Sequence, residues 1–319
     1  MTTKATQILE TLKAANNILL VAHHNPDADA IGSMLGLYGV LAHQFGKQVG
    51  MALDGEIPQN FAYLPYFFRI ADNFRPEKFD TVVILDCSGW SRTNFFETDE
   101  LNIDWPERLI IIDHHVTQGT TPGIQLMDTQ ASSTSEVIWK LVQEWQIPVT
   151  PEVATCLLTG ISADTGSFQH TNTHEETFKA AAELMIAGAS LNKIVSGIYL
   201  GKSAARLKLW GRVLQRMKYD HARKVAVSIA TNEDLNECKA NRADLTGLVN
   251  IMATLPDTKF VLLLTETPEG ELKGSLRTEE DNIDVRKLAE FLGGGGHIKA
   301  AGFELPAKIV KDGSNWTVV

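Results

Sequence analysis

The side chains best suited to chemistry in this sequence are histidines and aspartates that fall in three clusters. The first is His23-His24-Asn25-Pro26-Asp27-Ala28-Asp29, the second centres on Asp86, and the third is Asp113-His114-His115. A fourth carboxylate, Asp164, sits in Ser162-Ala163-Asp164-Thr165-Gly166-Ser167. Imidazoles mixed with carboxylates suit Mn²⁺, Fe²⁺ or Zn²⁺ better than Ca²⁺, and the lack of thiolates in the clusters argues against structural zinc. Two ions fit better than one, because a shared carboxylate can bridge ions about 3.5–4 Å apart. Charge agrees: four ligating carboxylates would repel one another without two divalent cations to neutralise them.

A second group of candidates lies near the C-terminus: Gly293-Gly294-Gly295-Gly296-His297, with Lys299 and Arg277. The backbone N–H groups of a glycine run can cradle an anion at a following helix start. His297 and Lys299 would add positive charge there, and Arg277 offers a fork for phosphate. The bland alternative is a flexible helix end that carries a surface histidine.

The elements that must position these groups are legible in the hydrophobic pattern. Ile8, Leu9, Leu12 and Ala15 form a helical stripe, and residues 30–45 are helical again. Ile18–Ala22, Thr81–Leu85 and Leu109–Ile112 are β-branched apolar runs of strand length. Continuous apolar strands between helices predict a mostly parallel sheet covered on both faces. Each of these three runs ends at one of the clusters, and open α/β sheets bind ligands at the carboxyl ends of their strands. A single aspartate after a strand is ordinarily a turn residue or helix cap, as Asp27 or Asp29 could be. Three successive strands that end this way point to one crevice. Helical patterns then run from Ser133 to about Gln215, with Trp139, Trp145 and Trp210 expected in core packing. Strands follow at 224–230 and 260–264. Residues 271–277 pair with the latter across Pro268-Glu269-Gly270, and a helix at 283–292 leads into the glycines.

Other motifs carry less. Gly201-Lys202-Ser203 resembles a P-loop end, but Ser196 occupies the position of the required first glycine and the stretch is helical. No GxSxG elbow is present. Cys87 beside Asp86 reads as a small packing residue. Asn315-Trp316-Thr317 matches a glycosylation sequon without a secretory context. The three cysteines are far apart and form no CxxC pair, which excludes a disulfide framework.

The chain has 319 residues and a formal charge of −10, which suggests two domains and an unlikely coat for long duplex DNA. Residues 213–319 hold 14 basic and 16 acidic residues, against 15 and 23 before them, so the acid excess lies in the first part. No signal-peptide core follows Met1 and no membrane span is visible, so a cytoplasmic protein without a membrane partner is expected. The expected organisation is 1–192, a helical linker at 193–212, and 213–319.

Taken together, the motifs resemble the DHH phosphoesterase superfamily, in particular members with a DHH domain followed by a DHHA1 domain. His23, Pro26, Asp27, Asp29, Gly32 and Ser33 meet the HxxPDxD-xx-GS pattern, and Asp113-His114-His115 is the name-giving triplet. Asp86 matches the second motif, Asp164 the fourth, and Gly293–His297 the DHHA1 signature. Ala28 stands where many members have glycine. The resemblance implies an α/β DHH domain with a mostly parallel sheet flanked by helices, and a smaller α/β DHHA1 domain with a mixed sheet. It also implies that His23, Asp27 and Asp86 hold one Mn²⁺, and that Asp29, Asp86, His114 and Asp164 hold a second. Mg²⁺, Fe²⁺, Co²⁺ or Zn²⁺ are alternatives. His115 would face the substrate phosphate and Asp113 would orient the histidines, while a metal-bridging hydroxide attacks phosphorus in line. Arg277, Gly294, Gly295, Gly296 and His297 would bind the substrate's terminal phosphate. Size and second domain point to the group that cleaves short oligoribonucleotides or dinucleotides such as pApA, and pAp, as a homodimer. The alternatives are a pyrophosphatase or short-polyphosphatase, and a metal-dependent nucleotide sensor without catalysis.

Overall fold

A computed structural model describes residues 3–24, 26–53, 57–71, 78–87, 93, 108–115, 122–199, 203–312 and 315–319. Asn25, Gly201 and Lys202, named above, lie outside the described residues. The chain divides into two compact units, Met1–Gly201 and Lys202–Val319. The division falls within 193–212.

In the first unit, α1 (Thr3–Ala14) buries Ala5, Ile8, Leu9 and Leu12 and leads into β1 (Asn17–Ala22). Helix α2 (Ala28–Gln44) starts where the Asp27 side chain accepts the N–H groups of Asp29 and Ala30, the usual N-cap bond. Strands β2 (Gln48–Ala52), β3 (Ile70–Ala71), β4 (Thr81–Leu85), β5 (Leu109–Asp113) and β6 (Ile124–Met127) follow. Then come α3 (Thr134–Glu144), α4 (Pro151–Asp164), α5 (Glu175–Ile186) and α6 (Leu191–Tyr199). The six strands form one sheet in the order β3-β2-β1-β4-β5-β6, every pair parallel. The strand order reverses between β1 and β4, and the crevice at that switch point is where an open sheet binds ligands.

Alternation along the strands serves two faces. Leu20, Ala22, Val83, Leu85, Ile110 and Ile112 join the large core with the helices. Leu19, Val21, Val82, Ile84, Leu109 and Ile111 build the opposite face with Phe79 and Met127. Trp139 and Trp145 are buried as expected, and so is Cys87. Helix α2 packs closely on α4: a Cβ on Gly32 would lie 2.6 Å from the Cys156 carbonyl oxygen and 2.9 Å from the Gly160 nitrogen.

The second unit begins with α7 (Ala204–Gln215), whose Leu209 and Val213 are core residues of this unit. Strands β7 (Lys218–Asp220) and β8 (Val225–Ala230), then α8 (Asn232–Cys238) and α9 (Leu248–Ala253), precede β9 (Phe260–Glu266) and β10 (Leu272–Arg277). Helix α10 (Val285–Phe291) leads to β11 (Gly295–Gly296) and β12 (Ala300–Leu305), and the hairpin β13 (Ile309–Asp312) and β14 (Asn315–Val318) completes the unit. The main sheet runs β11-β12-β10-β9-β8-β7; β8 and β9 are parallel and the other pairs antiparallel. The predicted β9–β10 pairing is present, and the sheet is mixed. No helix among the described residues is long and apolar enough to cross a membrane.

Candidate active site

The carboxyl ends of β1, β4 and β5 deliver His23, Asp86 and Asp113-His114-His115 to one place, and α2 and α4 add Asp27, Asp29 and Asp164. Strand β4 stops at Leu85, and Asp86 turns into the left-handed region at φ +54°, a conformation that aspartate tolerates better than most side chains. Its N–H still donates to the Ile112 carbonyl at 3.1 Å, so the turn is anchored to β5 while the carboxylate leaves the sheet.

The Asp86 carboxylate is 3% exposed and its two oxygens face different partners. Oδ2 is 3.7 Å from His23 Nε2; Oδ1 is 3.7 Å from His114 Nε2 and 3.5 Å from His115 Nδ1. His114 Nε2 is 3.4 Å from Asp164 Oδ2. These separations are too long for good hydrogen bonds. They match neighbouring ligands on one ion, which stand about 3.0–3.7 Å apart when metal bonds are about 2.1 Å long. Ligand atoms of His23, Asp27 and Asp86 lie within 4.8 Å of one another, as do those of Asp29, His114 and Asp164, and those of Asp86, Asp113, His114 and His115. The donor set therefore suits divalent metal, with Asp86 shared by the first and last of these groups.

Electrostatics tell the same story. Burial, then the charges of Asp29, Asp27, Asp113 and Asp164, pushes Asp86 well above its ordinary value. Burial also raises Asp29, and His114 partly offsets it. Such a cluster of buried like charges is costly until cations neutralise it. Burial holds His114 below the usual imidazole range, which favours the neutral form that ligates metal. Asp113 is different. Against burial, the hydrogen bond from His115 keeps it low, and Oδ1 accepts from His115 Nδ1 at 2.7 Å and from the N–H groups of His114 (2.6 Å) and His115 (3.0 Å). It holds the His115 ring and the backbone of His114.

The sequence reading missed the element that holds this cluster, the N-terminus of α3. Asp29 Oδ2 accepts the Thr134 N–H at 2.6 Å and Oδ1 that of Ser135 at 3.0 Å. The Thr134 hydroxyl donates to Asp86 Oδ1 at 3.1 Å. A helix start favours anions through its unsatisfied N–H groups and its dipole. Glu136, 1% exposed, ties this turn down by accepting from Ser132 (2.6 Å), Thr177 (2.9 Å) and Lys140 (2.9 Å). Against burial, these donors hold its carboxyl low, the Ser132 hydroxyl first. The Ser133-x-x-Glu136 capping pattern was the available signal. Gly160 on α4 is equally hidden in the sequence: a Cβ there would collide with Ser135 Oγ and Asp29 Oδ1.

In the second unit, a cleft of about 280 Å³ is lined by Val249, Ser275, Arg277, Gly295, Gly296 and Gly302, among others. Arg277 Nε donates to Asn250 Oδ1 at 2.9 Å, a partner the sequence did not reveal. The glycine run departs from expectation. Among the described residues no helix starts after it; the run closes α10 and enters the β11–β12 hairpin. The Gly293 and Gly294 N–H groups donate to the Glu290 and Ala289 carbonyls, and that of His297 to Ala300. A helix end needs its last carbonyls capped, and these amides do so. A Cβ on Gly294 would collide with the Gly302 carbonyl, so that glycine serves close strand packing. Lys299 is also committed elsewhere, with Nζ 2.9 Å from Asp281 Oδ1 and 3.1 Å from the Glu279 carbonyl. Arg277, Gly295 and Gly296 remain at the cleft, and His297 sits in the hairpin turn.

Residues 17–161 match the DHH family N-terminal domain and residues 214–313 match the DHHA1 domain. The bifunctional oligoribonuclease and PAP phosphatase NrnA of Thermus thermophilus is 30% identical over 302 residues, covering 93% of this chain and 87% of that protein. The chain belongs to the DHH/DHHA1 phosphoesterase superfamily. A protein of the same name from Bacillus subtilis is 25% identical and covers 93% of this chain and 92% of its own. Among solved structures, an exopolyphosphatase-related protein from Bacteroides fragilis superposes with a TM-score of 0.89 at 30% identity, covering 96% of this chain and 92% of that one. The stretch matched to the DHH domain thus carries the histidine–aspartate cluster except Asp164, which lies three residues beyond it, and the DHHA1 portion carries the Arg277 cleft.

Proposed function

We propose that this protein is a divalent-metal-dependent phosphoesterase that hydrolyses short oligoribonucleotides, dinucleotides such as pApA, and pAp. The observation that carries the reading is Asp86: one buried carboxylate turns its two oxygens toward two separate ligand groups, in a chain that also holds a cleft with an arginine and open glycine backbone. The relatives named oligoribonuclease and PAP phosphatase support the substrate class.

His23, Asp27 and Asp86 hold one ion; Asp29, Asp86, His114 and Asp164 hold the other, with Mn²⁺ the first choice for this mixture of imidazole and carboxylate. When bound, such ions activate water and offset the charge that develops on a phosphoryl group. The chain's own residues do the rest. Asp113 accepts the Nδ1–H of His115 and so orients the ring, leaving Nε2 as the atom assigned to the substrate side. The first turn of α3 aims Asp29 and Asp86, through two N–H groups on the first and one hydroxyl on the second. In the DHHA1 unit, Arg277, oriented by Asn250, receives a terminal phosphate, with Gly295 and Gly296 beside it.

The test is turnover of pAp, pApA, cyclic di-AMP, two- to five-nucleotide RNAs and pyrophosphate, each with Mn²⁺ and with Mg²⁺. Release of mononucleotide or AMP from pApA and pAp is expected; inactivity on every nucleotide would sink the proposal. The exopolyphosphatase-related structural relative favours a second reading, hydrolysis of short phosphate chains. Faster turnover of pyrophosphate or tripolyphosphate than of any nucleotide would select it.

A further inference from the structure

Asp164 is held unlike its fellow ligands. It is the last residue of α4, where a helix leaves its final carbonyls without intrahelical partners. Its carbonyl accepts from Asn172 Nδ2 at 3.3 Å and from His170 Nδ1 at 3.1 Å. The same Asn172 nitrogen donates to the Ser132 carbonyl at 3.0 Å, directly before α3. One side-chain amide therefore spans the helix end that bears Asp164 and the loop whose next residues hold Asp29 and Asp86.

The chain reaches this position by a strained route. Gly166, Ser167 and Phe168 are all left-handed, at φ +56°, +58° and +67°. Two successive non-glycine residues in that region are unfavourable, and such strain persists only where surrounding structure enforces it. Here Thr165 enforces it: its hydroxyl accepts the Phe168 N–H at 3.0 Å and its carbonyl accepts those of Gln169 and His170, each at 2.9 Å. The turn folds residues 170–173 back onto the end of α4. Asn172 Oδ1 and Thr173 Oγ1 are buried there with no partner among the described residues. An orphaned acceptor is destabilising, so an asparagine kept for stability alone would be better replaced by an apolar side chain. What the amide supplies is its doubly donating NH₂.

We propose that Asn172 is a positioning residue for the group Asp29, His114 and Asp164. By clipping the Asp164 carbonyl to Ser132, it sets the separation between the Asp164 carboxylate and the α3 turn, and so the fit of one of the two ions. The inference rests on the two-ion reading above. Partners that orient ligands in this way change metal affinity about 10–100-fold when removed.

The experiment is a Mn²⁺ titration of the full chain by calorimetry and electron paramagnetic resonance. Wild type should bind two ions. Asn172→Leu should weaken one site by about 10–100-fold and leave the other intact, with the melting temperature of the metal-free protein close to wild type. The weakened site should be the one that Asp29→Asn also weakens, whereas Asp27→Asn should affect the other. Two wild-type affinities retained in Asn172→Leu, or equal loss at both sites, would overturn the inference while the two-ion reading stands. Fewer than two ions on wild type would overturn both. If Asn172→Leu does not fold, Asn172→Ser carries the same test, because a hydroxyl is too short to reach both carbonyls.

Discussion

Asp86 is the residue on which the chemistry turns. Burial and four neighbouring aspartates raise it, so the metal-free fold carries a strained cluster of charge. Asp86→Asn removes one of those charges without changing shape. Its metal-free form is expected to melt above wild type near neutral pH, while Mn²⁺ affinity and hydrolysis fall by more than about 100-fold. Differential scanning fluorimetry with and without Mn²⁺ reads both. The same cluster sets a pH dependence. Asp86 and Asp29 are raised in the folded state above their ordinary 3.8. Their contribution to stability is present below that value and is lost as pH climbs through the raised values. Divalent ions stabilise the ionised forms, so the rise in melting temperature that Mn²⁺ produces should grow from about pH 5 to about pH 8. A constant or shrinking increment would contradict this account.

At the scale of elements, the site depends on how α3 is aimed. Its first turn donates two N–H groups to Asp29 and one hydroxyl to Asp86. Thr134→Val keeps the shape and removes only the hydroxyl, so it should weaken Mn²⁺ binding about tenfold with little change in unfolding. Gly160→Ala attacks the same geometry from α4. Its methyl group would have to displace Ser135 and Asp29, and a loss of about 1–3 kcal/mol in urea unfolding is expected, together with weaker metal binding. Glu136 anchors the turn from behind. Its carboxyl is held below the ordinary 4.5, so its contribution is present above that value and fades as pH falls through the lowered one.

For the whole molecule, the two units should separate into two functional terms. Arg277→Ala alters only the DHHA1 cleft, so KM for pAp and pApA is expected to rise about tenfold or more while two Mn²⁺ ions still bind. Loss of metal by this variant would refute the division of labour. The formal charge of −10 is concentrated in the first 212 residues, where four of the site's acids are assigned to cations. With 14 basic and 16 acidic residues in 213–319, there is no large positive surplus to neutralise a long backbone. Substrate affinity should therefore depend only weakly on salt, and long duplex DNA should be a poor competitor.

The three strand-end clusters were legible in the sequence because a buried parallel strand is a continuous apolar run, and its carboxyl end is where polar residues resume. From that rule alone His23, Asp86 and Asp113-His114-His115 converge, and the β9–β10 hairpin follows from its turn. The glycine run was misread in one respect, since nothing in four consecutive glycines tells a helix start from a helix end. Only the tertiary structure decided which backbone groups and side chains support the ligands. Thr134, Ser135, Asn172 and Gly160 act through contacts with residues far away in the chain, and the left-handed turn at Asp86 is a local conformation that its residue type permits without requiring. Ligand identity is written in residue types and strand ends; ligand geometry is written in long-range contacts, which no local pattern carries.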